Sequence, residues 1–229
     1  NLVDEIIGRC SYTEMVYFLL NGRMPEPAQT RVMDACLVTL MEHGLTPSAI
    51  ITRLVADNIE GEAQVAMSAG LLAVGDVFVG TIEGCARLLL AARDSGLDPD
   101  AYARDVVAAH RAERRALPGF GHRLHKPDDP RAVRLLAVAE ESGITGRHVD
   151  QLRRFSAALD ASAGKHITIN ATGAIAALLL EIDIPLEAMR ALAVVSRCGG
   201  LPGHILEERR TGSGRGIWRL VDDSFEYQP

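Results

Sequence analysis

The stretch 117-LPGFGHRLHKPDDPR-131 presents two histidines behind a Pro-Gly-Phe-Gly turn and follows them with basic residues. Two glycines before His122 allow the backbone to approach a ligand closely. Histidine is also the side chain that most readily exchanges protons near neutral pH. The fixed φ of Pro130 predicts that the side chain of Arg131 is aimed in one direction. By spacing alone, both a functional loop and a purely structural turn stay open.

The composition is that of an ordinary globular protein, with 48% hydrophobic and 24% charged residues among 229. A net charge of −6 argues against a general nucleic-acid partner, because phosphate binding needs a basic surface. Four widely spaced cysteines, without a CxxC pair or metal-ligand spacing, indicate reduced thiols in the cytoplasm. No apolar run reaches the ~18 residues of a membrane span, and no signal peptide is predicted.

Hydrophobic residues recur with a period near 3.6 along almost the whole chain, which predicts an all-α fold of about ten helices. Strand signals are few, and the alternating segment ITIN at 167–170 is short. An apolar helix is predicted at 171–182. The helix that begins at Pro185 is predicted to end near Cys198-Gly199-Gly200, before a last helix at about 201–210 and a Gly-rich tail.

Outside the opening stretch, a few histidines and arginines are candidates for chemistry. His43 lies at a predicted helix end in EHG, where a satisfied helix-end histidine is the simpler interpretation. Arg197 lies in VVSRCGG, and arginine binds carboxylates with paired donors. Arg209 and Arg210 are interpreted as a solvated face. The other histidines have no partner pattern and are interpreted as surface or core residues: His110, His125, His148, His166 and His204.

Several motifs, in order along nearly the whole chain, resemble those of the citrate synthase family. The opening stretch is similar to the family pattern Pro-Gly-x-Gly-His with Asp-Pro-Arg seven residues on, a spacing kept by His122 and Asp129. EHGLTPS at 42–48 resembles the family's Asp-His-Glu segment, and VVSRCGGLPGHILEE resembles its closing arginine helix. RGIWRLVDDSFEY resembles the end of the citryl-CoA lyase module of ATP-citrate lyase, which indicates that branch.

The resemblance implies a large helical domain, residues 1–82 and 172–229, and a smaller mobile helical domain, residues 83–171, in an intertwined homodimer. It implies a carbon–carbon lyase or a related citrate synthase-type acyltransferase, working by reversible Claisen-type chemistry. The expected substrate is citryl-CoA or a similar 3-hydroxy-3-carboxyacyl-CoA, cleaved to acetyl-CoA and a keto acid such as oxaloacetate. Coenzyme A is then part of substrate and product, and no metal, nucleic acid or membrane is expected to take part.

The same resemblance implies roles for individual side chains. His43 would hydrogen-bond the keto acid and polarise its carbonyl, and His122 would handle the proton on the alcohol or carbonyl oxygen, as a base in cleavage. Three arginines would clamp substrate carboxylates, the last of them across the dimer: Arg131, Arg197 and Arg219. Three cations would face coenzyme A: Arg123, Lys126 and Lys165.

Two positions depart from the typical family pattern. Phe78 in GDVFVG stands where typical citrate synthases have a histidine, and the citryl-CoA lyase branch also has phenylalanine there. Thr172 in 170-NATG-173 stands where the catalytic aspartate is expected. A threonine hydroxyl does not ionise near pH 7, and loss of a general acid or base typically costs ~10²–10⁴-fold in rate. Three alternatives stay open: a slow lyase, an enzyme for another acyl-CoA, or a non-catalytic homologue that binds CoA thioesters.

Overall fold

A computed structural model describes residues 1–59, 61–75 and 80–225. Within these ranges the chain is helical, with an isolated bridge between Phe120 and Ile169 and no strand ladder, so the predicted all-α fold is confirmed. A short π-helix at Leu2–Ile6 precedes the α-helices. Their bounds are α1 Tyr12–Asn21, α2 Pro27–Met41, α3 Pro47–Asn58, α4 Ala63–Leu72, α5 Gly80–Asp94, α6 Pro99–Ala112, α7 Pro130–Glu141, α8 Arg147–Ala163, α9 Ala171–Glu181, α10 Leu186–Thr211 and α11 Ser213–Ser224.

The chain forms two compact units. The first contains Asn1–Thr39 and Val79–Ala191, and the second contains Leu40–Phe78 and Leu192–Pro229. These boundaries differ from those of the predicted domains, 1–82 with 172–229 and 83–171. The predicted division describes which residues move together as a small domain, and it stays a prediction.

The core of the first unit is built around α9, which packs against α5, α7 and α8. This helix is apolar on all sides, and Ile175, Leu178 and Leu179 are almost completely buried. Each such side chain contributes roughly 1.5–3 kcal/mol through the area that it removes from water. The burial fixes the position of α9, and therefore of the NATG segment at its beginning.

The N-terminus of α8 is capped by a side chain from the end of α9. Gly146, at the cap position, has no side chain to accept the first backbone N–H groups. Glu181 supplies the acceptor, because its Oε1 accepts from the backbone N of His148 at 2.8 Å and of Val149 at 2.9 Å. A Cβ on Gly146 would lie 2.4 Å from Glu181 Oε2, so glycine is needed for this approach.

In the second unit, the glycines of α10 allow close packing and do not end a helix. The predicted end near Cys198-Gly199-Gly200 is wrong, because α10 continues through Pro202 to Thr211. A Cβ on Gly200 would lie 2.3 Å from the carbonyl oxygen of Met41, so the glycine serves the contact with the end of α2. The Gly-rich tail also contains α11, a helix that was not predicted from the sequence. Among the described residues, no helix combines the length and apolar character that crossing a bilayer requires.

Candidate active site

The loop Gly119–His122 is fixed against the first turn of α9 by backbone contacts. Gly119 has φ +90°, and a Cβ on Gly173 would lie 2.4 Å from the Gly119 carbonyl oxygen, so both positions need glycine. Asn170 holds the loop twice, because its backbone N donates to Gly119 O at 3.0 Å and its Nδ2 donates to Gly121 O at 3.0 Å. The position of His122 is therefore set by the helix that carries the NATG segment.

The hydrogen bonds around His122 define its tautomer. Its Nδ1 accepts from the backbone N of Leu124 at 3.1 Å and of His125 at 3.0 Å. An imidazole nitrogen that accepts is unprotonated, so the neutral ring carries its proton on Nε2. Burial lowers the pKa of His122, and the charges of His125 and Arg131 lower it further. His122 is thus a neutral ring that donates from Nε2.

Arg131 is oriented by Asp129, the buried N-cap of α7. Asp129 accepts from Arg131 Nε at 3.0 Å, from Arg131 Nη2 at 2.8 Å and from the backbone N of Ala171 at 3.0 Å. Burial raises the pKa of Asp129, but the hydrogen bonds and charge of Arg131 and the bond from Ala171 lower it to about 2. Asp129 therefore stays ionised and holds the guanidinium in one orientation.

The ring of His122 and the guanidinium of Arg131 meet at the loop surface. Arg131 Nη2 lies 3.3 Å from His122 Nε2. A guanidinium N–H and an imidazole N–H are both donors, so they do not satisfy each other. They are placed to share an acceptor, and a substrate oxygen bearing partial negative charge is the chemistry that such a donor pair fits.

The hydroxyl of Thr172 is already engaged in a chain of hydrogen bonds. Its Oγ1 donates to Asn170 Oδ1 at 2.7 Å and accepts from Thr81 Oγ1 at 3.1 Å. Asn170 Oδ1 also accepts from Gly173 N at 3.1 Å, so Asn170 is the N-cap of α9. Since its proton is directed at Asn170, Thr172 offers a ligand an acceptor and no exchangeable acid.

The second unit contains His43 and Arg197. His43 is exposed in the turn after α2, before Gly44 with φ +66°. Arg197 is half-buried on α10, and its Nη1 is buried with no hydrogen-bond partner among the described residues. Burial lowers the pKa of Arg197, and the charge of Glu42 opposes this. A buried guanidinium donor without a partner is costly unless a ligand supplies an acceptor, and a carboxylate fits it.

The remaining predicted contacts lie on exposed surface. In the first unit, three cations are exposed: Arg123, Lys126 and Lys165. In the second unit, Arg219 is exposed on α11 and lines a 350 Å³ surface cavity together with Trp218. Phe78 lies outside the described residues. The described residues contain no group of three or more His, Cys, Asp or Glu side chains that could hold a metal.

Two functional details were missed from the sequence. Asn170, three residues before Gly173 at the start of an apolar run, has the pattern of a helix N-cap that a propensity argument could have found. His204 was interpreted as a surface or core histidine. It is buried and has two polar side-chain partners, Arg53 and Glu42, which only the fold brings to it.

The all-α fold, the histidine on its glycine loop and the arginine held by a carboxylate are the features on which the resemblance to the citrate synthase family rests. The model of the family described as "Citrate synthase, C-terminal domain" matches residues 3–220, and the chain belongs to this family. The citrate synthase of Haloferax volcanii is 29% identical over 193 residues, which cover 83% of this chain and 50% of that protein. The chain spans about half the length of the curated relatives it matches.

Solved structures agree with the family. The citryl-CoA lyase from Hydrogenobacter thermophilus aligns with a TM-score of 0.83 and 30% identity, over 90% of this chain and 78% of that chain. The ATP citrate lyase from Methanothrix soehngenii, in complex with citrate and coenzyme A, aligns with a TM-score of 0.78 over 96% of this chain and 37% of that chain. At 20% identity, the second likeness shows the fold alone. The predicted family and fold are confirmed.

Proposed function

We propose that this chain cleaves citryl-CoA, or a similar 3-hydroxy-3-carboxyacyl-CoA, to acetyl-CoA and a keto acid such as oxaloacetate. The observation that carries the proposal is the donor pair of His122 Nε2 and Arg131 Nη2, which is suited to one substrate oxygen. The likeness to a citryl-CoA lyase at 30% identity supports the proposal of cleavage. The same chemistry runs in both directions, because the two reactions share one transition state.

In this proposal His122 acts as a donor to the substrate oxygen. The sequence hypothesis gave it the role of a base, but its Nδ1 accepts two backbone N–H groups and its Nε2 carries the proton. In the cleavage direction, Nε2–H stabilises the alkoxide that forms when the hydroxyl proton leaves to water. In the synthetic direction it polarises the keto-acid carbonyl, as a neutral imidazole can. A depressed pKa of His122 favours this neutral form.

The other residues take the roles that remain. The carbon–carbon bond breaks with its electron pair moving to the thioester, and the resulting enolate takes a proton from water to become acetyl-CoA. Arg131 and Arg197 bind carboxylates, and His43 binds the keto acid. Arg219 of the partner subunit supplies a further clamp, and Phe78 keeps the substrate-binding role that the resemblance implies. Coenzyme A lies against three exposed cations: Arg123, Lys126 and Lys165.

A second candidate function is binding of a CoA thioester without turnover. The hydroxyl of Thr172 favours it, because this group donates to Asn170 and has no carboxylate chemistry to offer the enolate carbon. Binding and cleavage both require the donor pair, and only cleavage requires an efficient proton source.

The test is to incubate purified protein with citryl-CoA and to follow acetyl-CoA and oxaloacetate by mass spectrometry. Thr172→Asp is compared with Thr30→Asp, which adds the same charge near the start of α2. Cleavage by the native protein at enzymatic rates supports the lyase. Cleavage by Thr172→Asp alone supports the binder, and inactivity of both, with no binding of citryl-CoA, contradicts the proposal.

A homodimer in the cytoplasm completes the proposal. The face of α11 that carries Trp218, Leu220 and Val221 is exposed in the single chain, as expected for a helix that packs on a second copy. The cysteines are free thiols, which suits a reducing compartment.

A further inference from the structure

A buried arginine in the second unit is linked to the turn that carries His43. Arg53 on α3 is 3% exposed, and its Nε donates to His204 Nδ1 at 3.0 Å. A guanidinium only donates, so Nδ1 of His204 must accept and the ring must carry its proton on Nε2. His204 Nε2 lies 2.8 Å from Glu42 Oε2 and therefore donates to it. Because Arg53 can only donate, it fixes which atom donates and which accepts in both of these hydrogen bonds.

The carboxylate of Glu42 reaches across His43. While Oε2 accepts from His204, Oε1 accepts from the backbone N of Gly44. The side chain of the residue before His43 is thus bonded to the residue after it. The left-handed conformation of Gly44 closes the same turn. The side chain of Glu42 and the backbone N–H of Gly44, which flank His43, are therefore linked by hydrogen bonds to buried His204 and Arg53.

This series of hydrogen bonds begins at Arg53, whose side chain is held on several sides. The other guanidinium nitrogens of Arg53 donate to Ser213 Oγ at 2.9 Å and to the carboxylates of Glu207 and Glu208. Glu208 is 3% exposed and also accepts from Gly214 N at 2.7 Å. Because its donors are bonded on several sides, Arg53 has little freedom to move.

We propose that Arg53, His204 and Glu42 form a positioning relay that holds the His43 turn in the geometry needed to bind the keto acid. The inference rests on the proposed function of His43 and extends it to three residues that do not touch the substrate. A misplacement of a contact by about 1 Å can cost on the order of 10²-fold in rate, so a relay behind His43 has a measurable effect. Coenzyme A binding, assigned to exposed cations of the first unit, is independent of the relay.

The first measurement does not depend on activity. In protein labelled with ¹⁵N at the histidine rings, the native His204 is expected to show a protonated Nε2 and an unprotonated Nδ1. His204→Gln keeps an acceptor and a donor, whereas His204→Leu removes both. The ring signals of His43 are expected to shift or broaden in His204→Leu, to be largely restored in His204→Gln, and to stay unchanged in the control His110→Gln. Unchanged His43 signals in His204→Leu overturn the relay.

Glu42→Gln keeps the test available if His204→Leu does not fold. Glu42 is exposed, and an amide has one acceptor oxygen, so the substitution breaks one of the two bonds across His43 without touching Arg53. The His43 signals are expected to shift in this variant as well. If they do not, the proposed relay is wrong.

The second measurement separates the relay from the proposed function. Cleavage of citryl-CoA by the native protein tests the proposed function. If the native protein does not cleave it, the ring signals of His43 still test the relay. Where the native protein is active, Glu42→Gln and His204→Leu are expected to weaken oxaloacetate binding about 10-fold or more, with coenzyme A affinity within about twofold of the native value. Equal loss of both affinities indicates damage to the fold and contradicts a positioning role.

Discussion

At the scale of single residues, the site depends on groups that hold others in place. Asp129 is buried and ionised, and it orients Arg131 through two hydrogen bonds. Two backbone N–H groups at Nδ1 assign the proton of His122 to Nε2. The loop therefore presents donors whose directions are set before a substrate arrives, which is the condition for electrostatic stabilisation of a developing charge.

Removal of the His122 ring is expected to reduce citryl-CoA cleavage. His122→Ala deletes the donor to the alkoxide, and loss of one such donor costs about 10²–10³-fold in kcat. Single-turnover cleavage of citryl-CoA measures the change, with His110→Ala as the control for losing a histidine elsewhere in the first unit. Retention of full activity in His122→Ala would rule out the proposed mechanism.

Asp129 is expected to make the stability of the chain depend on acidic pH. Its folded-state pKa of about 2 lies below the ordinary value of 3.8, so its contribution is present above pH ~4 and is lost as the pH falls toward about 2. The difference between these two pKa values corresponds to at most about 2.5 kcal/mol. Urea unfolding between pH 5 and pH 2 measures it, and Asp129→Asn is expected to lose less stability over this range than the native chain. Parallel pH curves would show that Asp129 does not contribute.

At the scale of elements, close approaches of backbone decide how the helices meet. Gly119 and Gly173 bring the histidine loop onto α9, and Gly200 brings α10 onto the end of α2. Gly146 allows Glu181 to reach the first turn of α8. In each case the missing Cβ makes room for a close contact between two elements.

Gly173→Ala is expected to displace the histidine loop. Its Cβ would lie 2.4 Å from Gly119 O, a separation that forces the loop or the helix to move. Cleavage activity is expected to fall about 10²-fold, because the movement that relieves this overlap misplaces His122. Gly203→Ala is the matched control, since nothing lies within 4 Å of its Cβ, and it is expected to stabilise α10 by roughly 0.5–1 kcal/mol. Equal activity of the two variants would contradict the role of the Gly119–Gly173 contact.

Glu181→Ala is expected to destabilise the first unit by about 1–2 kcal/mol, the usual cost of losing a helix cap. The backbone N–H groups of His148 and Val149 would lose their acceptor. Thermal unfolding measures the change against Asp105→Ala, which removes an exposed carboxylate from α6. If the two variants unfold at the same temperature, the cap has no energetic effect.

The sequence predicted most of the helices because their apolar faces repeat with a clear period. It also predicted the histidine loop, because glycine, histidine and Asp-Pro-Arg lie within one short segment. It did not predict that α10 is continuous, since glycine usually ends a helix, and the contact of Gly200 with Met41 is made only in the fold. The partners of His204 were out of reach for the same reason, because Glu42 lies more than 150 residues away along the chain.

At the scale of the whole molecule, the predicted substrate contacts belong to two compact units. His122, Arg131 and Thr172 belong to the first unit, and His43 and Arg197 belong to the second. In the first unit, Arg131 is oriented by the carboxylate of Asp129. In the second unit, Nη1 of Arg197 has no hydrogen-bond partner among the described residues.

The chain is expected to be a dimer in solution, because α11 exposes a contiguous apolar face. Light scattering coupled to gel filtration measures the mass of the native protein and of Trp218→Glu, which places a charge on that face. The native protein is expected at twice the chain mass of 24.7 kDa and the variant at a lower mass. Asp223→Ala, outside the apolar face, serves as the control. A native monomer, or a dimer unaffected by Trp218→Glu, would contradict this use of α11.

The unbroken course of α10 has a consequence for how this segment can vary in length. Arg197 and His204 are seven residues apart on one helix, so they point to the same side, roughly 10 Å from each other. Inserting a single residue between them would turn one by about 100° relative to the other. Homologues that keep both side chains in use are therefore expected to keep the number of residues between them, and to keep glycine at the position of Gly200.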